Sequence, residues 1–213
     1  MDLCHVDEAG FAMTQPTTTT WGRVGCPRLV PYEAPQGRRL NVIGGYFSHG
    51  PQRGEFRFAT LASVPKQKKR ADGSVGKTRA QQAADHGLKE EDLGVIDSDV
   101  FLGFVWQWAG RPPEAPENWR RERSLMVVVD NYSVHTSDRV KWERQRLEAA
   151  DVYLVHLSAY SPELSRIEPH WKVTKYYEIA RRNYSELGDL KPAVEAALAR
   201  RAIDLRERYE SVN

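Results

Sequence analysis

The chain has 213 residues, of which 40% are hydrophobic and 28% charged, with 31 basic against 29 acidic side chains for a formal net charge of +2. That is one generous domain, or two small ones, of an ordinary soluble globular chain with enough apolar residues for a real core. Two cysteines, Cys4 and Cys26, are too few for a disulfide scaffold or a four-cysteine zinc site, and no apolar run approaches the roughly 20 residues that cross a bilayer.

Both cysteines read as small buried hydrophobes in a reducing compartment. The start, MDLCHVDEAGF, lacks the basic region and long apolar core of a signal peptide, so a cytosolic protein is expected. Leu3 to Val6 form a short strand-like run that ends at Asp7-Glu8, with Ala9-Gly10 turning the chain. Thr17 to Gly25 (TTTTWGRVG) is β-prone and bounded by Gly and Pro, which predicts a second strand pairing with the first. Cys26 to Arg39 reads as loop, with Pro27, Pro31 and Pro35 spaced through it. Leu40 to Phe47 is a third strand interrupted by Gly44-Gly45, and Phe56 to Val64 a fourth, so the chain opens as a β-meander.

The segment from Pro65 to Glu91 is polar and has no apolar period, which predicts a mobile insertion loop. Its first part carries six basic residues (Lys66, Lys68, Lys69, Arg70, Lys77, Arg79) against one acid, Asp72. A solvated loop and a phosphate-binding arm for nucleic acid are both open at this point. Gly76-Lys77-Thr78 ends like a nucleotide-binding P-loop, but that motif needs a glycine where Ala71 stands and a hydrophobic strand ahead of it, so nucleotide binding is rejected.

Val100, Phe101, Phe104, Val105 and Trp108 have the spacing of a helix with one apolar stripe. A proline-rich linker from Arg111 to Pro116 leads to SLMVVVDNYSVH, a short continuous apolar run ending in Asp130. Such a run suits a central strand covered on both faces. A carboxylate at its end either starts a turn through its own backbone or marks a site at the carboxyl edge of the sheet. Ser137 to Ala150 is a predicted helix and Asp151 to Leu157 another buried strand, an alternation that implies parallel pairing through a right-handed crossover. A helix starts at Glu168, with Pro169 at its first position. A long charged helix covers Leu190 to Tyr209, with Val194, Leu198, Ala202 and Leu205 on one face.

Asp7, Asp130 and Glu168 therefore sit in similar settings at strand ends and a helix start. Three acids gathered in a globular core repel one another unless a cation neutralises them, and an all-oxygen donor set suits magnesium or manganese. Two such ions make a site for in-line phosphoryl transfer, so the residues point to a metal-dependent nuclease or phosphoryl transferase.

The ordered set VDEAGF, TWGRVG, VVVDNYSVH and YSPELSRIEPHWK resembles the catalytic domain of mariner-type DDE transposases, especially their bacterial insertion-sequence branch, in which D-E-x-G-F, T-W-x-x-x-G, L-D-N-x-x-x-H and Y-S-P-E-L-N-P-I-E-x-x-W occur in the same order. The resemblance runs from Asp7 to Lys172, and Asp130 and Glu168 lie 38 positions apart (168 − 130), close to the family interval. It implies an α/β, ribonuclease-H-like fold, a mixed five-stranded sheet flanked by helices. It also implies that Asp7, Asp130 and Glu168 are the catalytic, metal-holding triad for two Mg2+ ions, with Mn2+ as substitute. The implied activity is cleavage of DNA strands and strand transfer at transposon ends. DNA, both transposon ends and target, is the implied partner, with a possible homodimer and a cytoplasmic, nucleoid-associated location in a bacterium.

In this context the basic loop from Lys66 to Arg79 reads as a DNA-contacting arm. Asn131, His135 and Lys172 are candidate DNA contacts, His135 being equally readable as an ordinary helix-start histidine. Glu8 should point to the face opposite Asp7, since side chains alternate along a strand. Glu163 reads as capping a helix start, and His5 and His156 as structural. Trp21 and Trp171 read as core. The family's Asn-Pro before I-E is Ser165-Arg166 here, and its Pro-Pro before Y-S-P is Ser158-Ala159, which loosens the loop that positions Glu168. With the first triad aspartate at residue 7, the expectation is a single catalytic domain without the helix-turn-helix domains that precede it in the family. A catalytically silent DNA-binding remnant and another ribonuclease-H-like nuclease are the competing readings.

Overall fold

The computed structural model of the protein describes residues 1–14, 23–26, 38–64, 76–158, 161–180 and 184–210. Five strands, β1 (Asp2–Ala12), β2 (Arg39–His49), β3 (Phe56–Ser63), β4 (Leu125–Val129) and β5 (Val152–His156), form one sheet in the order β3-β2-β1-β4-β5. The β1-β2 and β2-β3 pairs are antiparallel, while β1-β4 and β4-β5 are parallel. This is the mixed, ribonuclease-H-like sheet expected from the sequence.

The first strand is longer than its apolar run. Ala9 and Gly10 do not turn the chain; they pair with Val42 and Asn41 of β2, so β1 carries Asp7 and Glu8 in its middle. Gly44 and Gly45 do not interrupt β2 either, and each leaves room for an indole. A Cβ on Gly44 would fall 2.4 Å from Trp171, and one on Gly45 would fall 3.0 Å from Trp108. Most of Thr17 to Gly25 lies outside the described residues, and Arg23–Cys26 forms a turn. Cys4 is buried as expected, whereas Cys26 is exposed in that turn.

Six α-helices cover the sheet among the described residues: α1 (Arg79–Ala84), α2 (Ser98–Trp108), α3 (Ser133–Thr136), α4 (Asp138–Ala149), α5 (Glu168–Val173) and α6 (Leu187–Glu210). The α2 stripe buries Phe101, Leu102, Val105 and Trp108 against Val6, Phe47, Val127 and Val129, in one core with Leu147 of α4. Burying each of these large side chains contributes about 1.5–3 kcal/mol. Asp97 caps α2 by accepting from the backbone N–H groups of Asp99 and Val100. The opposite face of the sheet packs Ala9, Phe11, Leu40 and Val42 against Trp171 of α5 and Leu190, Val194 and Leu198 of α6. Successive β1 residues thus serve two cores, the period-2 logic of a strand covered on both sides.

The second half of the expected insertion loop is folded. Thr78 caps α1 by accepting from Gln81 N, and Ala83 and Leu93 are buried beneath it. Residues 65–75, on which the rest of the expected loop falls, lie outside the described residues.

Candidate active site

Pairing between β1 and β4 runs Asp2↔Leu125 through His5↔Val128. Asp7 and Asp130 each lie two residues beyond the last of these partners, so the register sets them level on neighbouring strands. Glu168 opens α5, with Pro169 in its first turn where a missing N–H costs nothing. Together Asp7, Asp130 and Glu168 line one cleft of about 440 Å³, with Asn131, Tyr132, Ser161 and Ser165 among its other walls. A second cleft of about 450 Å³ shares Asp7, Asp130 and Tyr132 with the first and extends over Glu8, Arg39 and Asn41. The two aspartates therefore lie where two grooves meet.

Each acid is held differently. Asp7 faces Gly44 across the strand pair and accepts a hydrogen bond from Trp171 Nε1 to Oδ2 at 3.1 Å. Trp171 and Glu168 are three residues apart on α5, so one helix face brings both to Asp7. Burial pushes the Asp7 carboxyl up to about 7; the charge of Glu168 adds to this, as do Glu8 and Asp130, against a backbone hydrogen bond. The site carries more negative charge than its own residues balance.

Asp130 Oδ1 accepts from Tyr132 N at 2.9 Å and lies 2.8 Å from His135 Nδ1. The other ring nitrogen of His135, Nε2, lies 3.0 Å from Glu8 Oε1. Burial draws the His135 pKa down, but hydrogen bonds and charges of Glu8 and Asp130 outweigh it and the net direction is up. A ring with ionised carboxylates at both nitrogens donates from both. The Glu168 carboxylate has no hydrogen bond or ion pair among the described residues.

Glu8 points away from Asp7, as strand alternation requires: its partner His135 packs on Phe101 of α2, while the partner of Asp7 comes from α5. Asn131 donates to Leu157 O at 2.8 Å and so ties the ends of β4 and β5 together. Lys172 is exposed on α5 and lines neither cleft. Of the basic arm, Lys66, Lys68, Lys69 and Arg70 lie outside the described residues. Lys77 pairs with Asp85 and Arg79 donates to the carbonyls of Glu90 and Leu93, so these two brace the fold around α1. Glu163 is exposed in a 3-10 turn, Pro162–Leu164. His5 is buried, with Nδ1 accepting from Arg166 N, and His156 Nδ1 lies 3.3 Å from Asp130 O.

Three residues were missed or undervalued in the sequence. Trp171 is core, but its N–H also serves Asp7. His135 is the link between Glu8 and Asp130. Lys175 is half-buried near the acids: burial lowers its pKa, and the charges of Glu168 and Asp7 offset this only in part. Only the spacing of Glu168, Trp171 and Lys175 at i, i+3 and i+7 hinted that they share a face.

The charged donors lining the cleft are the carboxylates of Asp7, Asp130 and Glu168, which suit hard divalent cations. Among the described residues, no group of three or more His, Cys, Asp or Glu side chains is gathered closely enough to hold one ion.

Residues 96–191 match the family model of the DDE superfamily endonucleases. That segment contains Asp130 and Glu168. No curated protein matches the chain. Among solved structures, the Mos1 mariner paired-end complex with manganese superimposes with a TM-score of 0.56 at 13% identity, covering 98% of this chain and 53% of that one. The Mos1 strand transfer complex gives 0.56 at 14% identity, covering 98% and 52%. A pre-cleavage Mos1 transpososome gives 0.54 at 12%, covering 98% and 54%. The chain thus spans about half the length of these proteins and shares their fold. The fold implied by the resemblance to mariner-type DDE enzymes is borne out, and the family model takes in the VVVDNYSVH and YSPELSRIEPHWK motifs.

Proposed function

We propose that the chain is the catalytic domain of a DDE transposase, cleaving DNA strands and joining them at transposon ends with divalent cations held by Asp7, Asp130 and Glu168. The observation that carries this reading is the meeting of three carboxylates from β1, the end of β4 and the start of α5 on one cleft, with the Asp7 carboxyl pushed up to about 7 by burial and by the other acids. A cation in the cleft relieves that repulsion. Asp7, Asp130 and Glu168 are the residues that would hold such cations. When bound, magnesium or manganese supplies the charge that activates an attacking water or 3′-hydroxyl and stabilises the leaving oxygen.

The chain's own residues then have distinct tasks. Trp171 holds Asp7 by one oxygen, and Tyr132 N and His135 hold Asp130 by one oxygen. Asn131 keeps the ends of β4 and β5 in register beneath the cleft. DNA as partner is supported by the Mos1 complexes, which are paired-end and strand transfer assemblies. Action as a dimer, and a DNA-contacting arm at Lys66 to Arg70, belong to the same proposal.

One observation favours a second reading, a silent DNA-binding module that keeps the fold: the absence, among the described residues, of a ready-made three-ligand group. Nicking of supercoiled plasmid in manganese, compared between the wild type and Asp130→Asn, decides between them. Nicking lost in the variant supports the enzyme; no nicking by the wild type, with no rise in Tm on adding Mn2+, supports the silent module.

A further inference from the structure

Glu8 has no task in the chemistry above, yet with His135 it makes the most buried polar contact around Asp130. The His135 side chain is 0% exposed and Glu8 only 16%, whereas Asp130 is 54% exposed. The imidazole is wedged against Phe101 with ring centroids 4.5 Å apart, so it cannot swing toward the cleft without vacating the α2 core. Its two nitrogens meet Glu8 Oε1 at 3.0 Å and Asp130 Oδ1 at 2.8 Å. With Tyr132 N also donating to Oδ1 at 2.9 Å, that oxygen is occupied twice, and Oδ2 has no protein partner among the described residues.

We infer that Glu8 and His135 are positioning residues: Glu8 fixes the imidazole through Nε2, and the imidazole fixes Asp130 through Nδ1, so that Oδ2 is presented to a divalent cation. The inference rests on the metal reading of the site. It assigns Glu8 a place behind the site, although Glu8 lines the neighbouring cleft and is an acid next in sequence to Asp7. A carboxylate at this position could instead bind the ion itself, and the two roles respond differently to substitution. A positioning role needs an acceptor for Nε2–H, which glutamine supplies; a ligand role needs the charge.

The test follows the rise in Tm during titration with Mn2+ alone, for the wild type, Glu8→Gln, Glu8→Leu and Asp130→Asn. Glu8→Gln should keep the wild-type Mn2+ midpoint within about threefold, and Glu8→Leu should weaken it about 10- to 100-fold, the usual effect of losing a group that orients a metal ligand. Loss of the Mn2+ response in Glu8→Gln, equal to that in Asp130→Asn, would make Glu8 a ligand and overturn the inference. So would a wild-type midpoint in Glu8→Leu. A cycle in the metal-free protein guards against a site that never binds metal: through His135, the Tm losses of Glu8→Leu and Asp130→Ala should be less than additive in the double variant. Full additivity would overturn the inference, whereas absence of any Mn2+ response in the wild type would overturn the metal reading alone.

Discussion

Trp171 donates its indole N–H to Asp7 Oδ2 at 3.1 Å, and it reaches that position because Gly44, the β2 partner of Asp7, has no side chain. Core packing and site geometry are therefore one feature. A methyl group on Gly44 would sit 2.4 Å from the indole. Gly44→Ala should destabilise the protein by about 1–3 kcal/mol through overpacking, read from urea unfolding, and should weaken Mn2+ binding together with it. Wild-type stability in this variant would mean that the indole has another place to go. Trp171→Phe keeps most of the packing and removes one hydrogen bond to the Asp7 carboxyl, a loss of about 0.5–1.5 kcal/mol in the same urea unfolding.

Asp7 gives the protein a pH signature. Its carboxyl is raised from 3.8 to about 7 in the folded chain, chiefly by burial and next by Glu168. The folded state thus holds this proton more tightly than the unfolded state does, so its stabilising effect is complete below about pH 4 and is lost as pH rises to about 7. Asp7→Asn should accordingly be more stable than the metal-free wild type above pH 7, with the difference fading toward pH 4. Mn2+ requires the ionised form, so the Tm rise it produces in the wild type should grow as pH climbs through 7. Thermal melts from pH 5 to 8.5, with and without Mn2+, read both; a Mn2+ effect independent of pH would remove Asp7 from the metal site.

Lys175 lies close enough to Glu168 and Asp7 for their charges to act on it, and its ammonium stands 5.4 Å from the Phe11 ring centroid. A fixed positive charge there opposes the entry of a metal cation. Lys175→Gln should tighten the Mn2+ midpoint several-fold in a thermal-shift titration, and the gain should shrink in high salt. An unchanged midpoint would put this ammonium outside the field of the site.

Asp2 provides a contrast remote from the chemistry. It is 2% exposed and pairs with Arg121 at 2.6 Å and Arg123 at 3.2 Å, tying the start of β1 to the segment that leads into β4. Asp2→Ala leaves Arg121 largely buried without its partner and should cost about 3–5 kcal/mol. The surviving folded protein should keep a wild-type Mn2+ midpoint. A selective loss of Mn2+ binding would show that strand register at Asp2 reaches the site.

The strands β2 to β5 and helices α2, α4 and α6 were legible because each is written in a local period. Alternation or a short continuous apolar run gave the strands, and the 3.6-residue stripe of Phe101, Val105 and Trp108 gave α2. Where local signals misled, a partner elsewhere overrode them. Ala9-Gly10 has turn composition but is held straight by pairing with Val42 and Asn41, and Gly44-Gly45 looks like a break but is a pair of docking positions for Trp171 and Trp108. The helix at Arg79 was invisible to apolar periodicity, because Ala83 is its only buried residue and its capping by Thr78 had to reveal it.

By itself the sequence marked most of the strands and helices and three candidate acids, since an aspartate ending an apolar run and a glutamate before a helix-starting proline are local patterns. Asp130 is held by the nearby Tyr132 and His135, but only tertiary structure decided what holds Asp7 and what stands behind His135. Glu8 and His135 are 127 positions apart, and Asp7 and Trp171 are 164 apart. No local period relates such residues. Their meeting depends on the parallel register of β1 with β4 and on α5 packing over Gly44, which exist only once the sheet has formed.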